Sequence, residues 1–344
     1  RVRLVERRPN YGRAEIVEIL EPGPDRREPP CPHFAECGGC DLQHLEDEAQ
    51  SRLKAEAVRE TLMRLSRIGL PEDTRLITGA SWGYRLRTQV HAEIDPDGAR
   101  VGYRRRRSHQ LVPVEVCPVC RPELESAVVG LGEALSDTAP RRIDLALGER
   151  GEVTTAPVIP GLPHGQVRLR VGEFDLWFDA RCFFQTHAGL LPELVQSVVG
   201  EWSGDRAFDL YGGVGLFALP ATRLYKKVVL VEAHSVATRY ARINARRNRI
   251  AGLDVRAQAV ESWVPRLPVE ADRVIVDPPR AGLAKPVRQA LLDKRPRRLT
   301  YVSCHPAALA RDLRELAGTY RLESVTLIDL FPQTSHIEVV VQLV

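Results

Sequence analysis

Beyond about residue 180, short apolar runs alternate with longer stretches of helical spacing. Ala207–Leu210, Val228–Val231, Arg273–Val276, Thr300–Val302 and Ile337–Val341 read as buried strands. Helical stretches at 187–201, 215–224, 234–250, 284–293 and 306–317 separate most of them. This alternation predicts a Rossmann-like, doubly wound α/β sheet with ligands at the carboxyl ends of its strands. Residues 80–178 have a different rhythm. Tyr84–Ile94 and Arg100–Arg104 flank the hairpin signal Asp95-Pro96-Asp97-Gly98, and further strands are expected at Arg141–Leu147 and Gln166–Phe178. Ahead of this β-rich module, Leu45, Ala49, Leu53, Ala57/Val58, Leu62 and Leu65 mark one face of a helix over about Asp47–Arg67, stopped by Gly69 and Pro71. Residues 1–28 read as short strands, Val2–Val5 and Ala14–Leu20, ending in a turn-rich Glu-Pro-Gly-Pro-Asp. They resemble the tail of a small β-barrel whose beginning is missing. No apolar run reaches membrane-spanning length, so no membrane partner is expected.

Composition sharpens this picture in two places. A net charge of +4 implies no partner by itself, but only five of the 49 basic residues are Lys and the other 44 are Arg. Guanidinium forks pair bidentately with phosphate and stack on bases, which suits RNA. The run Arg104-Arg105-Arg106-Arg107 packs like charges that need counter-charge, solvent or a polyanion. Seven cysteines, five of them in two clusters, do not form a secreted disulfide ladder. They predict a reducing, cytoplasmic setting with a metal site and a catalytic thiol.

Five motifs carry candidate chemistry. In Asp209-Leu210-Tyr211-Gly212-Gly213-Val214-Gly215, a strand runs into a glycine turn and a helix, where backbone can approach a cofactor closely. Glu232, at the end of the next strand, is placed to accept ribose hydroxyls. Gly-Gly-Val-Gly does not fit a nicotinamide fingerprint, and no phosphate-loop sequence is present. Asp277-Pro278-Pro279-Arg280 is a rigid turn at a strand end that holds a carboxylate over a flat reactant. Its Arg stands where amino-methylating enzymes carry an aromatic residue. Cys304, in Ser303-Cys304-His305-Pro306, lies at a helix start, where amides can lower a thiol pKa. Cys182 offers no motif and reads as structural. Glu338 is embedded in an apolar strand, where burial would raise its pKa and suit it to proton transfer. Cys31-x5-Cys37-Gly-Gly-Cys40 and the distant Cys117-Pro-Val-Cys120 can wrap either an iron–sulfur cluster or a structural zinc.

Together these segments resemble the RNA uracil-5-methyltransferase family, especially its iron–sulfur-containing 23S ribosomal RNA branch. Phe183-Phe184-Gln185, Ala310-Arg311-Asp312-Leu313 and His336-Ile337-Glu338 extend the likeness over essentially the whole chain. His305 departs from the family's usual Asn, and Gly212 and Leu216 from its commoner Cys and Thr/Asn. The resemblance implies a TRAM-type barrel remnant at 1–28, a central β-rich domain at 29–45 and 80–178, and a catalytic domain at 46–79 and 179–344. It further implies a four-iron cluster on Cys31, Cys37, Cys40 and Cys117, with Cys120 spare, and S-adenosylmethionine held by Gln185, Tyr211, Gly213, Glu232 and Asp277. Cys304 would be the nucleophile, Glu338 the base, and Arg104–Arg107 RNA contacts on a monomeric protein. Ribosomal RNA is favoured over transfer RNA as substrate. A metal-stabilised RNA-binding protein without catalysis is the other reading.

Overall fold

The computed structural model describes residues 1–344 except Asn10, Asp97 and 136–139. The chain opens with an antiparallel hairpin of β1 (Val2–Arg8) and β2 (Tyr11–Ile16), which pairs with no other strand among the described residues. After the cysteine-bearing segment come helix α1 (Asp47–Ser66) and the short β3 (Arg75–Ile77). A five-stranded antiparallel sheet follows, built from β4 (Arg87–Asp95), β5 (Gly98–Arg104), β6 (Leu111–Pro113), β7 (Arg142–Leu147) and β8 (Val153–Ala156) in the order β6-β5-β4-β7-β8. Asp95 pairs with Gly98 at the expected hairpin, whose Asp97 lies outside the described residues. Helix α2 (Pro122–Ala134) covers this sheet with Leu124, Val128 and Leu131. Gly130 and Gly132 dilute its apolar periodicity, so the sequence alone does not reveal it. The Gln166–Phe178 stretch folds as the hairpin β9 (Gln166–Val171) and β10 (Phe174–Asp179).

The second half of the chain begins with α3 (Leu191–Val199) and β11 (Gly204–Leu210). It continues through α4 (Ala218–Ala221), β12 (Tyr225–Glu232), α5 (Ser235–Arg247), β13 (Leu253–Ala257), α6 (Val260–Trp263) and β14 (Arg273–Val276). It closes with α7 (Lys285–Lys294), β15 (Leu299–Ser303), α8 (Pro306–Leu316), β16 (Leu322–Ile328) and β17 (Glu338–Leu343). The sheet order is β13-β12-β11-β14-β15-β17-β16-β3. All neighbours run parallel except β17, which is antiparallel to both β15 and β16. The winding reverses between β11 and β14, which opens a crevice beyond their carboxyl ends.

Helix α1 joins this half from far upstream by packing on α8, where Val58 and Leu62 share a core with Leu309, Leu313 and Leu316. Its buried face differs from the expected one. Leu53 and Leu65 are exposed, whereas Gln50, Ser51 and Lys54 are buried. The reason is a polar counterpart in the loop between β16 and β17. The Lys54 ammonium donates to both oxygens of Asp329 at 2.8 and 2.9 Å and to the Phe331 carbonyl at 3.0 Å. Gln50 exchanges hydrogen bonds with Gln333, donating to its Oε1 at 2.9 Å and accepting from its backbone N–H at 2.9 Å. Gln333 is fully buried with a left-handed φ of +67°, a conformation these contacts sustain. Asp41, one residue after Cys40, accepts from the Ser335 backbone and hydroxyl, and its own amide donates to the Gln333 carbonyl. The cysteine segment, α1 and the loop leading to Glu338 are thereby one bonded unit.

Removing one member of a buried pair strands its partner's charge and costs about 3–5 kcal/mol, while replacing both with apolar groups costs far less. Lys54→Met is therefore expected to lose about 3 kcal/mol in urea unfolding. Lys54→Met with Asp329→Leu should recover part of that loss, and a Lys54→Met midpoint equal to wild type would contradict this account.

Candidate active site

Five functional side chains leave the large sheet at the same edge. Asp209 is the penultimate residue of β11 and Glu232 the last of β12, while Asp277 and Cys304 directly follow β14 and β15. Glu338 is the first residue of β17, and only because that strand is reversed does it reach the same edge. Ser303 pairs with Val339, so the next positions out, Cys304 and Glu338, lie opposite each other. The Asp277 and Glu338 carboxyls are buried. Burial pushes Asp277 up to about 7. Burial and the neighbouring Asp277 push Glu338 well above the carboxylate range, opposed by Arg280.

Cys304 answers to the same field. Burial, followed by the Glu338 and Asp277 charges, pushes its thiol up to about 11, with Arg280 pulling the other way. The expected lowering by helix amides is thus outweighed by burial and by the Glu338 and Asp277 charges. His305 spends the helix end differently: its Nδ1 accepts the Ala308 amide at 3.2 Å, which makes it the N-cap. Arg280 is steadied by His336, with 3.0 Å between Nη2 and Nε2.

The glycine turn after β11 is tightly determined. Tyr211 takes a left-handed φ of +66°, and both its amide and that of Gly212 donate to the Val231 carbonyl. A Cβ on Gly212 would lie 2.5 Å from Leu230 and 2.9 Å from an Asp209 oxygen. Gly213, at φ +54°, would meet nothing, so its outer side is open. The Glu232 carboxylate accepts from the amides of Gly213 at 3.1 Å and His234 at 2.7 Å, fastening the turn to the end of β12. The Tyr211 hydroxyl donates to Glu261 at 3.1 Å. Asp209, beside this turn, has both carboxylate oxygens buried without partners, and Gln185 Oε1 is likewise buried and unpartnered. Burial, Asp277 and Glu232 push Asp209 well up; the Ala218 amide opposes this without reaching hydrogen-bond geometry. Buried polar atoms are normally satisfied, and Asp175, His187 and Arg273 each carry one more unpartnered atom elsewhere. Asp209 escaped assignment from the sequence, although an acid within an apolar strand was the available signal.

The cysteine sites separate cleanly. Cys31, Cys37, Cys40 and Cys117 line one apolar cavity with Arg85 and Tyr103, and Cys120 is not in its lining. Instead the Cys120 thiol donates to the Cys117 sulfur at 3.5 Å, which holds Cys117 low. Among the described residues no three His, Cys, Asp or Glu side chains are gathered closely enough to bind one metal ion. Cys182 is fully buried away from both sites. The arginine run flanks an open groove of about 420 Å³. Arg104, Arg105 and Arg106 are ion-paired with Glu93, Glu36 and Asp41 at 3.3, 3.6 and 3.0 Å, whereas Arg107 has no such partner among the described residues.

A largely parallel sheet with one reversed strand, a glycine turn after its first strand and acids along one edge define a class I-type, Rossmann-like methyltransferase. The profile of the tRNA (Uracil-5-)-methyltransferase family matches residues 267–344. The 23S rRNA (uracil(1939)-C(5))-methyltransferase RlmD of Pectobacterium atrosepticum is 33% identical over 98% of this chain and 84% of its own length. The enzyme of the same name from Yersinia enterocolitica is 32% identical over 98% and 86%. The Pyrococcus abyssi tRNA (uracil-54, C5)-methyltransferase, solved with S-adenosyl-L-homocysteine, shares the fold with a TM-score of 0.76 at 24% identity, over 100% of this chain and 92% of that one. This chain belongs to the S-adenosylmethionine-dependent RNA uracil-5-methyltransferase family.

Two expectations follow from the site. Alkylation of Cys304 in the free protein should accelerate with pH up to about 10 without levelling off, because a raised pKa leaves the thiol protonated at neutrality. A plateau near pH 7 would show an activated thiolate instead. Gly212→Ala should weaken S-adenosylhomocysteine binding by at least about tenfold in calorimetry, since its methyl collides with Leu230 and the Asp209 carboxyl.

Proposed function

We propose that this enzyme forms 5-methyluridine in 23S ribosomal RNA through a covalent bond between Cys304 and carbon 6 of the target uracil. The observation that carries this reading is the facing pair of Cys304 and Glu338 at one sheet edge, with Asp277 and Arg280 acting on both. Carbon 5 of uracil is a poor nucleophile. Addition of the Cys304 thiolate to carbon 6 turns the ring into an enolate nucleophilic at carbon 5. S-adenosylmethionine supplies the methyl group as a sulfonium. Glu338 then removes the carbon 5 proton, the carbon 6–sulfur bond breaks, and the thiolate leaves with the aromatic ring restored.

The unpartnered Gln185 and Asp209 atoms, the open side of Gly213 and the acids Glu232 and Asp277 fit a polar, cationic cofactor. Tyr211 holds the turn in its left-handed shape beside them. A cation bound there would draw Glu338 and Cys304 toward their ionised forms, which the reaction requires. The target uridine must leave its stack to reach the pocket.

For the four-cysteine cavity we infer an iron–sulfur cluster on Cys31, Cys37, Cys40 and Cys117. Its support is that these four thiols line one cavity while Cys120 stands outside the lining; a structural zinc is the alternative occupant. The bonded unit linking Asp41 to the Glu338 loop supports an architectural role for such a cluster. The groove at Arg104–Arg107 is read as an RNA contact, with Arg107 free to meet phosphate. The domain boundaries, including a TRAM-type unit at 1–28, a monomeric state and a cytoplasmic setting belong to the same reading; the seven free cysteines support a reducing compartment. Ribosomal RNA is favoured over transfer RNA by the relatives above 30% identity.

The test is transfer of labelled methyl to unmodified 23S ribosomal RNA and, separately, to unmodified transfer RNA, with the product nucleoside identified by mass spectrometry. Transfer to uridine carbon 5 in the ribosomal RNA is expected, with Cys304→Ala abolishing it while S-adenosylhomocysteine still binds. Glu338→Gln should stall after methyl transfer and accumulate RNA–protein adduct that survives denaturation. Transfer that persists in Cys304→Ala would eliminate the covalent route, and exclusive transfer to the other RNA would reassign the substrate.

A further inference from the structure

Helix α5 follows Glu232 and carries a charge pattern that nothing in the folded chain balances. Arg239, Arg242 and Arg246 occupy positions i, i+3 and i+7, and Arg247 and Arg249 continue the series; all five are exposed. No acid occurs from Ser235 to Arg249. Among the described residues none of the five arginines has a carboxylate within ion-pair distance, in contrast to Arg104, Arg105 and Arg106. The nearest acid on the neighbouring strand, Asp254 of β13, is taken by Arg256.

Helix electrostatics does not account for this arrangement. The negative end of the helix dipole favours Arg246 and Arg247 in the last turn, but its influence does not extend to Arg239 or to Arg242 in mid-helix. Like charges three and four residues apart repel as well. The side chains are nevertheless held in place. Arg242 donates to the Val255 carbonyl at 3.1 Å, Arg239 lies over the Tyr240 ring at 5.1 Å, and Arg247 lies over Trp177 at 4.3 Å. Trp177 borders a groove of about 280 Å³ that is also lined by Arg150, Glu152, Gln166 and Arg168, the last paired with Glu149 and Asp175. The surface thus combines a row of exposed guanidinium groups that lack ion pairs, Arg239, Arg242 and Arg247 among them anchored, with an adjoining polar groove of mixed charge. Regularly spaced phosphates are the partner whose charge and geometry complement it.

We propose that this face of α5 is a second RNA-binding surface, which grips the phosphate backbone of the substrate at a flank remote from the target uridine. The proposal rests on the RNA reading and extends it from the catalytic pocket to the choice of a large, folded substrate. From β12, which leads into α5, to β15, which leads to Cys304, there are three strand spacings, or about 14 Å. The arginines then extend along the helix for about 10 to 15 Å more. RNA held at both places must therefore continue for several nucleotides beyond the methylated base.

The test uses the full chain with Arg239, Arg242 and Arg246 all changed to Gln, checked for unchanged melting and S-adenosylhomocysteine affinity. Binding is measured against salt for an unmodified 23S ribosomal RNA domain and for a short hairpin bearing only the target loop. For the long RNA, affinity at moderate salt should fall about tenfold and the slope of log Kd against log salt should drop by about 2 to 3. KM for the long RNA should rise with kcat unchanged, and the short hairpin should be bound as by wild type. An unchanged slope and KM with the long RNA would overturn the proposal, as would an equal loss on the short hairpin. Wild-type protein that binds RNA through this face but transfers no methyl group would refute the catalytic reading and leave the binding surface standing.

Discussion

Burying several acids beside one another is the constraint around which this protein is arranged. Asp209, Asp277 and Glu338 sit at one edge of the sheet with Glu232 close by, and carboxylates sharing a low-dielectric space cannot all ionise. Each is held toward its neutral form, and the Cys304 thiol among them is held neutral too. The resting site is therefore biased against negative charge at Asp209, Asp277, Glu338 and Cys304. It is matched to a ligand that brings positive charge of its own, and a sulfonium bearing an ammonium group is such a ligand. Arg280 opposes the acids from the pocket rim, steadied by His336, so the cation balance is supplied partly by the chain and partly by what it binds.

The parallel order of the catalytic sheet would be of little use for this purpose without its one reversed strand. Glu338 is the first residue of β17 and reaches the carboxyl edge only because that strand runs backward. Its position is consequently set by the loop that precedes it. That loop is gripped by α1 through Lys54 and Gln50, by the cysteine segment through Asp41, and by the Tyr84 hydroxyl on the Pro332 carbonyl. Remote parts of the chain thus converge on the placement of a single carboxyl.

Much of this was legible in the sequence where a residue's role is local. Strand–turn–helix punctuation singled out Asp277 and Cys304, whereas the cysteine spacing left the ligand set open and only the family resemblance set Cys120 apart from the four that line the cavity. What could not be read depended on partners far away along the chain. The helix face of α1 was expected to be apolar, yet Lys54 and Gln50 are buried because Asp329 and Gln333 wait for them. The strands β13, at the sheet edge, and β16, between β17 and β3, went unnoticed because mixed composition blurs their pattern. The state of Cys304 differs from expectation for the same reason: an adjacent helix start is visible in sequence, while burial of the thiol and the approach of Glu338 and Asp277 from two other strands are not.

The Lys54–Asp329 pair also imposes a schedule on synthesis. Its members stand 275 residues apart in the chain. At a translation rate of about 5–20 residues per second, Lys54 emerges roughly 14–55 s before the carboxylate it needs. During that interval α1 has polar groups on the face that will later be enclosed and no core to dock against. Its exposed amphipathic surface stays hydrated until the last tenth of the chain appears. A nascent chain of this protein therefore cannot finish its catalytic half domain by domain; it closes on itself only when the final loop and strand have been made.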